Sequence, residues 1–153
     1  MDLTGKPAPD FTLPRDGGGE ITLSSLRPGP VVLYFYPRDD TPGCTTEAVE
    51  FTAALPNFIN ENCTVVGVSR DTVAKHDKFV AKHALGIALV SDEDGTVCEA
   101  YGTWVEKNMY GKKSMGIERS TFLIDGEGKV VREWRKVKVK DHVAEVLEAV
   151  KAL

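Results

Sequence analysis

Stretches of apolar and polar positions alternate along the chain and predict strands and helices in turn. Residues 30–36 form an uninterrupted β-branched and aromatic run, typical of a strand buried on both faces at the centre of a sheet. Apolar runs at residues 63–69 and 87–90 predict two further buried strands. Residues 120–124 and 129–134, separated by a glycine-containing turn, predict a β-hairpin.

Between these strands the apolar positions change to helical spacing. One helix is predicted from Cys44 onward, and Pro56 is expected to stop or kink it. A second helix is predicted from near Asp71, and a brief one is predicted around residues 97–101. Asp141 is predicted to cap a terminal amphipathic helix. The buried stripe of that helix is expected to consist of Val143, Val146, Leu147 and Val150.

Two segments have weaker patterns. Residues 9–14 alternate apolar and polar positions between prolines, which predicts a short edge strand. Glycines 17–19 are expected to form a tight turn; a phosphate-binding loop is disfavoured because no Gly-Lys-Ser/Thr follows them. Residues 102–116 are expected to be irregular. The order of elements predicts an α/β fold with a central mixed sheet and helices on both faces, in one domain spanning residues 1–153.

Composition narrows the class of protein further. The 153 residues are 42% hydrophobic and 27% charged, which is ordinary for a folded domain and excludes a disordered chain. A net charge of −4 argues against general attraction to nucleic acid or anionic lipid. No apolar run approaches the ~18–20 residues that span a bilayer, and the first residues lack a secretory pattern. We therefore expect a cytoplasmic protein without a membrane segment.

Three cysteines are too few and too widely spaced for a disulfide framework, and the absence of a CxxC pair disfavours a zinc ribbon or a reactive dithiol. Cys63 opens a buried strand, and Cys98 lies on the brief helix, so both are expected to be core thiols. Cys44 differs, because it follows a polar loop bracketed by Pro37 and Pro42.

This loop places Cys44 in the first turn of a helix, directly beyond the carboxyl end of the central strand, where open α/β sheets bind ligands. The unpaired N–H groups and the positive end of the helix dipole favour a thiolate, which is the nucleophilic form of cysteine. Thr41 is expected to turn its hydroxyl towards the sulfur or towards an oxygen bound beside it. Pro37 and Pro42 stiffen the loop and shield the site.

The spacing of Pro37, Thr41 and Cys44, Pro-x-x-x-Thr-x-x-Cys, matches the signature of the peroxiredoxins. Residues 33–48 closely resemble the Q subclass, also called bacterioferritin comigratory protein. The likeness continues through residues 66–69, 89–92, 113–125 and 134–137. The resemblance implies a thioredoxin-like fold and reduction of hydrogen peroxide or organic hydroperoxides.

By this resemblance, Cys44 would be the peroxidatic cysteine and Arg119 the arginine that holds the thiolate and the peroxide oxygens. A guanidinium stays charged and donates directed hydrogen bonds, which suits it to stabilise charge on a departing oxygen together with Thr41. The alternative for Arg119 is a surface ion pair with Glu118 or another acid. Glu47 would either stabilise the helix N-terminus or bond to Arg119.

The sequence departs from the family where a resolving cysteine is usual. Five residues after Cys44 stands Val49, and residues 80–85, the other familiar location, contain no cysteine. An external thiol is then expected to reduce the sulfenic acid: thioredoxin, glutathione with glutaredoxin, or a low-molecular-weight thiol. Alternatives are Cys98 as an unusual resolver, Cys63 less readily, or a disulfide between two chains. The resemblance favours a monomer.

Other classes of function fit the sequence less well. A thioredoxin-like adaptor or chaperone is disfavoured because packing alone does not require the set formed by Pro37, Thr41, Cys44 and Arg119. The segment at residues 132–140 is basic and contains Trp134, but a solvated strand and loop explains it better than nucleic-acid binding. Two histidines seven residues apart, His76 and His83, are expected to face solvent. We therefore expect no metal and no bound cofactor.

Overall fold

The computed structural model of the chain describes residues 2–153, and all statements about its elements refer to these residues. Its strands are β1 Thr12–Pro14, β2 Glu20–Thr22, β3 Val31–Phe35, β4 Thr64–Ser69, β5 Ala88–Ser91, β6 Trp104–Met109, β7 Lys112–Ile117, β8 Ser120–Ile124 and β9 Val130–Trp134. Its helices are α1 Pro42–Asn60, α2 Val73–His83, α3 Thr96–Ala100 and α4 His142–Lys151, with a 3₁₀ turn at Leu23–Leu26. Within residues 2–153, no helix is long and apolar enough to cross a membrane.

Five strands form the central sheet, in the order β5-β4-β3-β8-β9. The strands β3, β4 and β5 are parallel, whereas β8 pairs antiparallel with both β3 and β9. The predicted mixed sheet is therefore confirmed, and all five residues of β3 are buried at its centre. Helices connect the parallel strands, which is the usual way for a chain to cross from one parallel strand to the next.

The two faces of β3 separate two apolar cores, because successive side chains of a strand point to opposite faces. Val32 and Tyr34 face the core that includes Phe51 of α1, Phe79 of α2 and Val146 of α4. Leu33 and Phe35 face the other core, to which α3 and the N-terminal segment contribute. Helices thus cover both faces of the sheet, as the sequence predicted.

The prediction of an irregular stretch at residues 102–116 was wrong. Here the chain forms the antiparallel hairpin β6–β7, which is hydrogen-bonded from Trp104↔Ile117 to Met109↔Lys112. Its tip is a tight turn in which Tyr110 and Gly111 have φ of 53° and 79°. Two consecutive left-handed residues match the right-handed twist of a hairpin. The pattern hid the hairpin because most of its side chains are exposed, so no apolar face marks it.

The bounds of α1 differ from prediction, whereas the positions of Asp141 and of the glycine turn agree with it. Helix α1 begins two residues before Cys44, and it runs through Pro56 to Asn60, since Phe58 beyond the proline is fully buried in the core. Asp141 occupies the N-cap position of α4, but it has φ of 62° and its side chain accepts no capping hydrogen bond. β1 pairs with β2 around the predicted glycine turn, in a small separate sheet.

Candidate active site

Cys44 lies at the start of α1, immediately beyond the carboxyl end of β3. Thr41 is the N-cap residue, and Pro42 occupies the first turn, where its missing N–H costs no hydrogen bond. The first intrahelical bond is donated by Thr45 N–H to the carbonyl oxygen of Thr41, at 2.8 Å. The backbone N–H of Cys44 therefore precedes the hydrogen-bonded turns. The Cys44 side chain is only 1% exposed.

Arg119 connects this helix to the antiparallel half of the sheet, because it directly precedes β8. Its Nη2 donates to Cys44 Sγ at 3.4 Å, and its Nη1 donates to Glu47 Oε1 at 2.7 Å. The guanidinium lies against Gly43, where an added Cβ would stand 3.1 Å from Nη2. The predicted alternative was a surface ion pair with Glu118 or another acid; Arg119 does pair with an acid, but that acid is the buried Glu47. The arginine bridges a thiol and a carboxylate on one helix turn.

Glu47 is the charged partner of this arrangement and is completely buried. Burial raises the pKa of Glu47 to about 7, although the charge and hydrogen bond of Arg119 oppose the rise. Burial likewise opposes the charge of Arg119, but Glu47 and Cys44 outweigh it and raise the pKa of the guanidinium. The second carboxyl oxygen of Glu47 has no hydrogen-bond partner within the described residues, nor has the hydroxyl of Tyr34.

The raised pKa of Glu47 gives a stability prediction. A carboxyl with a pKa of 4.5 unfolded and about 7 folded binds more protons in the folded state, so its contribution to stability is present below pH 4.5 and lost as pH rises through 7. At about 1.4 kcal/mol per pKa unit, the loss amounts to about 3 kcal/mol. Urea unfolding of the wild type and of Glu47→Gln, measured between pH 4.5 and 8, checks this. The difference between their free energies of unfolding should change by this amount over that range. A difference that stays constant over this pH range would contradict the expectation.

Thr41 and Pro37 lie on the open side of the site. Thr41 Oγ1 donates its hydrogen to the carbonyl oxygen of Arg38 at 2.9 Å, so its lone pairs remain to accept a bond from a molecule bound beside it. Both residues line a groove of about 530 Å³ between this loop and the β6–β7 hairpin, which contributes Trp104 and Lys107. Burial and the nearby Arg119 lower the pKa of Lys107.

The other two cysteines are buried in different parts of the core. Cys63 is 3% exposed, and burial raises its pKa to about 12. Cys98 is fully buried in the core on the opposite face of the sheet from Cys44, and burial raises its pKa as well. The structure thus agrees with the expectation of core thiols. Val49, at the position of the usual resolving cysteine, is 42% exposed.

The prediction that His76 faces solvent was wrong. His76 is completely buried, and its Nδ1 lies 2.6 Å from Asp39 Oδ2 in the loop that precedes α1. Sequence reasoning missed this contact because the two residues are 37 positions apart, and neither has a periodic signal. His83, by contrast, is partly exposed and pairs with Asp40.

A cysteine at a helix N-terminus, bound by an arginine at the edge of a mixed sheet, is the arrangement of a thiol-based redox enzyme. Residues 4–133 match the AhpC/TSA family, so the chain belongs to that family. It is a peroxiredoxin, an enzyme that reduces peroxides with electrons from thiols. The resemblance deduced from the Cys44 signature is thereby confirmed.

Curated relatives support this assignment along nearly the whole chain. Peroxiredoxin Bcp of Bacillus subtilis is 50% identical over 147 residues, covering 96% of this chain and 94% of the relative. The solved structure of Xanthomonas campestris peroxiredoxin Q is 51% identical with a TM-score of 0.89, covering 93% of this chain and 90% of that one. Another solved structure, of the Xanthomonas campestris bacterioferritin comigratory protein, addresses the alkyl peroxide reduction activity of that protein. It is 50% identical with a TM-score of 0.89, and the match covers 93% of this chain and 90% of that one.

Proposed function

We propose that this chain reduces hydrogen peroxide and organic hydroperoxides at Cys44 and that an external thiol completes the cycle. The observation that carries the proposal is the 3.4 Å contact between Arg119 Nη2 and Cys44 Sγ at the start of α1. A cation and the helix N-terminus both favour the thiolate, which is the nucleophile. Glu47 accepts from Nη1, which leaves Nη2 directed at the sulfur.

In the first half of the reaction, the Cys44 thiolate attacks one peroxide oxygen and the O–O bond breaks. The sulfur is oxidised to a sulfenic acid, while the other oxygen leaves as hydroxide or alkoxide and takes up one proton to give water or an alcohol. The Arg119 guanidinium stabilises the negative charge that develops on the leaving oxygen. Thr41 accepts the peroxide O–H and thereby orients it, because its own hydrogen is bound to the Arg38 carbonyl oxygen.

In the second half, one external thiol condenses with the sulfenic acid to form a mixed disulfide and water, and a second thiol releases Cys44. The burial of Cys98 on the far face of the sheet and of Cys63 within the core supports an external donor over either as resolver. Thioredoxin, or glutathione with glutaredoxin, supplies such a thiol. Pro37 and the groove beside it provide the approach to the site.

We further propose that the enzyme acts in the cytoplasm as a monomer.

Intact mass spectrometry after one equivalent of hydrogen peroxide, with and without dimedone, tests this proposal. We expect a gain of one oxygen, converted by dimedone to an adduct on Cys44, because no second thiol reaches the sulfenic acid. A loss of two hydrogens without an adduct would contradict the one-cysteine cycle. An unchanged mass would contradict the assignment of Cys44 itself. A Cys63→Ala/Cys98→Ala variant serves as the matched control and should give the wild-type result.

A further inference from the structure

Two histidines of α2 each contact an aspartate of the loop that leads to Cys44. His76 Nδ1 lies 2.6 Å from Asp39 Oδ2, and His83 Nε2 lies 2.9 Å from Asp40 Oδ1. The two pairs differ in their surroundings. The side chains of His76 and Asp39 are 0% and 5% exposed, whereas those of His83 and Asp40 are 23% and 44% exposed. Only the first pair is withdrawn from solvent.

The contacts of His76 favour its charged form. Its Nδ1 faces a carboxylate oxygen of Asp39, and its Nε2 lies 2.9 Å from the carbonyl oxygen of Val90. Both partners are acceptors, and the imidazolium form, which donates from both ring nitrogens, satisfies both contacts. Burial alone would lower the pKa of His76, but the hydrogen bond and charge of Asp39 outweigh it and raise that pKa. Asp71 and the Tyr36 hydroxyl are the other titratable groups that face this site.

Asp39 is in turn the anchor of the loop. Its Oδ1 accepts a 2.6 Å hydrogen bond from the Tyr36 hydroxyl of the chain just after β3, and its backbone N–H donates to Asp71 Oδ2 at 2.8 Å. Asp71 is itself held by the Ser69 hydroxyl at 2.7 Å. The loop is thus tied to the ends of three adjacent parallel strands. Thr41 lies two residues beyond this anchor, and Cys44 lies three residues further.

We propose that His76 is a positioning residue for the peroxide reaction: its buried contact with Asp39 holds the loop that places Thr41 beside Cys44. The inference rests on the proposed function, since it concerns the geometry in which Cys44 meets a peroxide. His76 itself touches neither the sulfur nor the peroxide. Displacement of a positioned group by about 1 Å can cost ~100-fold in rate, so a residue behind the loop can have a large effect.

The test compares His76→Asn with His83→Asn. Asparagine retains a donor in place of Nδ1 but loses the charge and the bond to Val90. We expect the second-order rate of Cys44 oxidation by hydrogen peroxide to fall about 10- to 100-fold in His76→Asn. It should change less than about twofold in His83→Asn, because exposed ion pairs contribute little. Alkylation of Cys44 by iodoacetamide should change by a smaller factor than oxidation, since alkylation does not use Thr41.

The pH dependence separates positioning from general destabilisation. The ratio of the wild-type rate to the His76→Asn rate should be largest while His76 is charged and should fall as pH rises through its raised pKa. A ratio that is independent of pH from 6 to 10, or equal losses of oxidation and alkylation, would overturn the proposal.

Tyr36→Phe provides a second variant in case His76→Asn does not fold. It removes only the hydroxyl that donates to Asp39 and should lower the oxidation rate severalfold while alkylation is retained. An unchanged oxidation rate would contradict the proposal. If wild-type Cys44 itself does not react with peroxide, the proposed function fails instead, so the two failures are distinguishable.

Discussion

Peroxide reduction should be abolished when Cys44 is replaced by serine, with a loss of at least about a thousandfold in the rate of peroxide consumption. A serine hydroxyl in this position is not ionised near neutral pH, and oxygen cannot form the counterpart of a sulfenic acid. The Arg119 guanidinium would then face a neutral hydroxyl, with Glu47 still bound to Nη1. Consumption of hydrogen peroxide in the presence of excess dithiothreitol, measured against the uncatalysed reaction, checks this expectation.

The controls for this variant are the other two cysteines. Cys63→Ala and Cys98→Ala should retain peroxide consumption within a few-fold, because both thiols are buried away from the groove. Each should cost about 1 kcal/mol of stability through the small cavity that it leaves. Substantial peroxide reduction by Cys44→Ser would disprove the assignment of the nucleophile.

Arg119→Lys should lower the second-order rate with hydrogen peroxide by about a hundredfold or more. The guanidinium donates from two nitrogens at once, to Cys44 Sγ and to Glu47 Oε1. A lysine ammonium is a single point charge and cannot reproduce that planar fork. It will be drawn to the buried carboxylate of Glu47, because an unpaired buried charge is costly. The sulfur and the departing oxygen then lose their directed donor.

Stopped-flow oxidation of Cys44, followed through the change in tryptophan fluorescence or by competition with a reference thiol, measures this effect. Arg132→Lys is the matched control, because Arg132 forms an exposed ion pair with Glu145 outside the groove. It should leave the rate unchanged. A wild-type rate in Arg119→Lys would show that charge alone suffices and that the fork geometry between Cys44 and Glu47 is dispensable.

Much of the fold could be predicted because apolar periodicity reports burial. The wholly buried β3 and the stripe of α4 gave clear patterns, and both are present where they were expected. The β6–β7 hairpin gave none, since its strands are mostly exposed and its pairing depends on backbone bonds around Gly111. The extension of α1 through Pro56 was equally hidden, because the packing of Phe58 overrides the local penalty of proline.

The site, too, has parts that the local sequence predicts and parts that depend on contacts between distant residues. The placement of Cys44 at a helix start could be predicted, because Pro37, Thr41 and the first helical residues are close to it in sequence. Arg119 was carried over from the resemblance, and the structure supplies the geometry that links it to Glu47. The Asp39–His76 contact could not be foreseen, because a single buried histidine on a helix has the same local sequence as an exposed one. Tertiary contacts between distant residues leave no mark on periodicity.

The depth at which Cys44 is buried imposes an asymmetry on the two halves of the proposed cycle. Hydrogen peroxide has only two heavy atoms, so it can reach the sulfur of Cys44 with little rearrangement, although that residue is 1% exposed. A thiol carried by a peptide or a protein is too bulky to reach the Cys44 sulfur in this way. In the proposed cycle, an external thiol therefore needs a sulfur that is more exposed than it is here, at the expense of the contact with Arg119 that favours oxidation. Turnover in this cycle is thus a compromise between oxidation, which a buried sulfur beside Arg119 favours, and reduction, which an exposed sulfur favours.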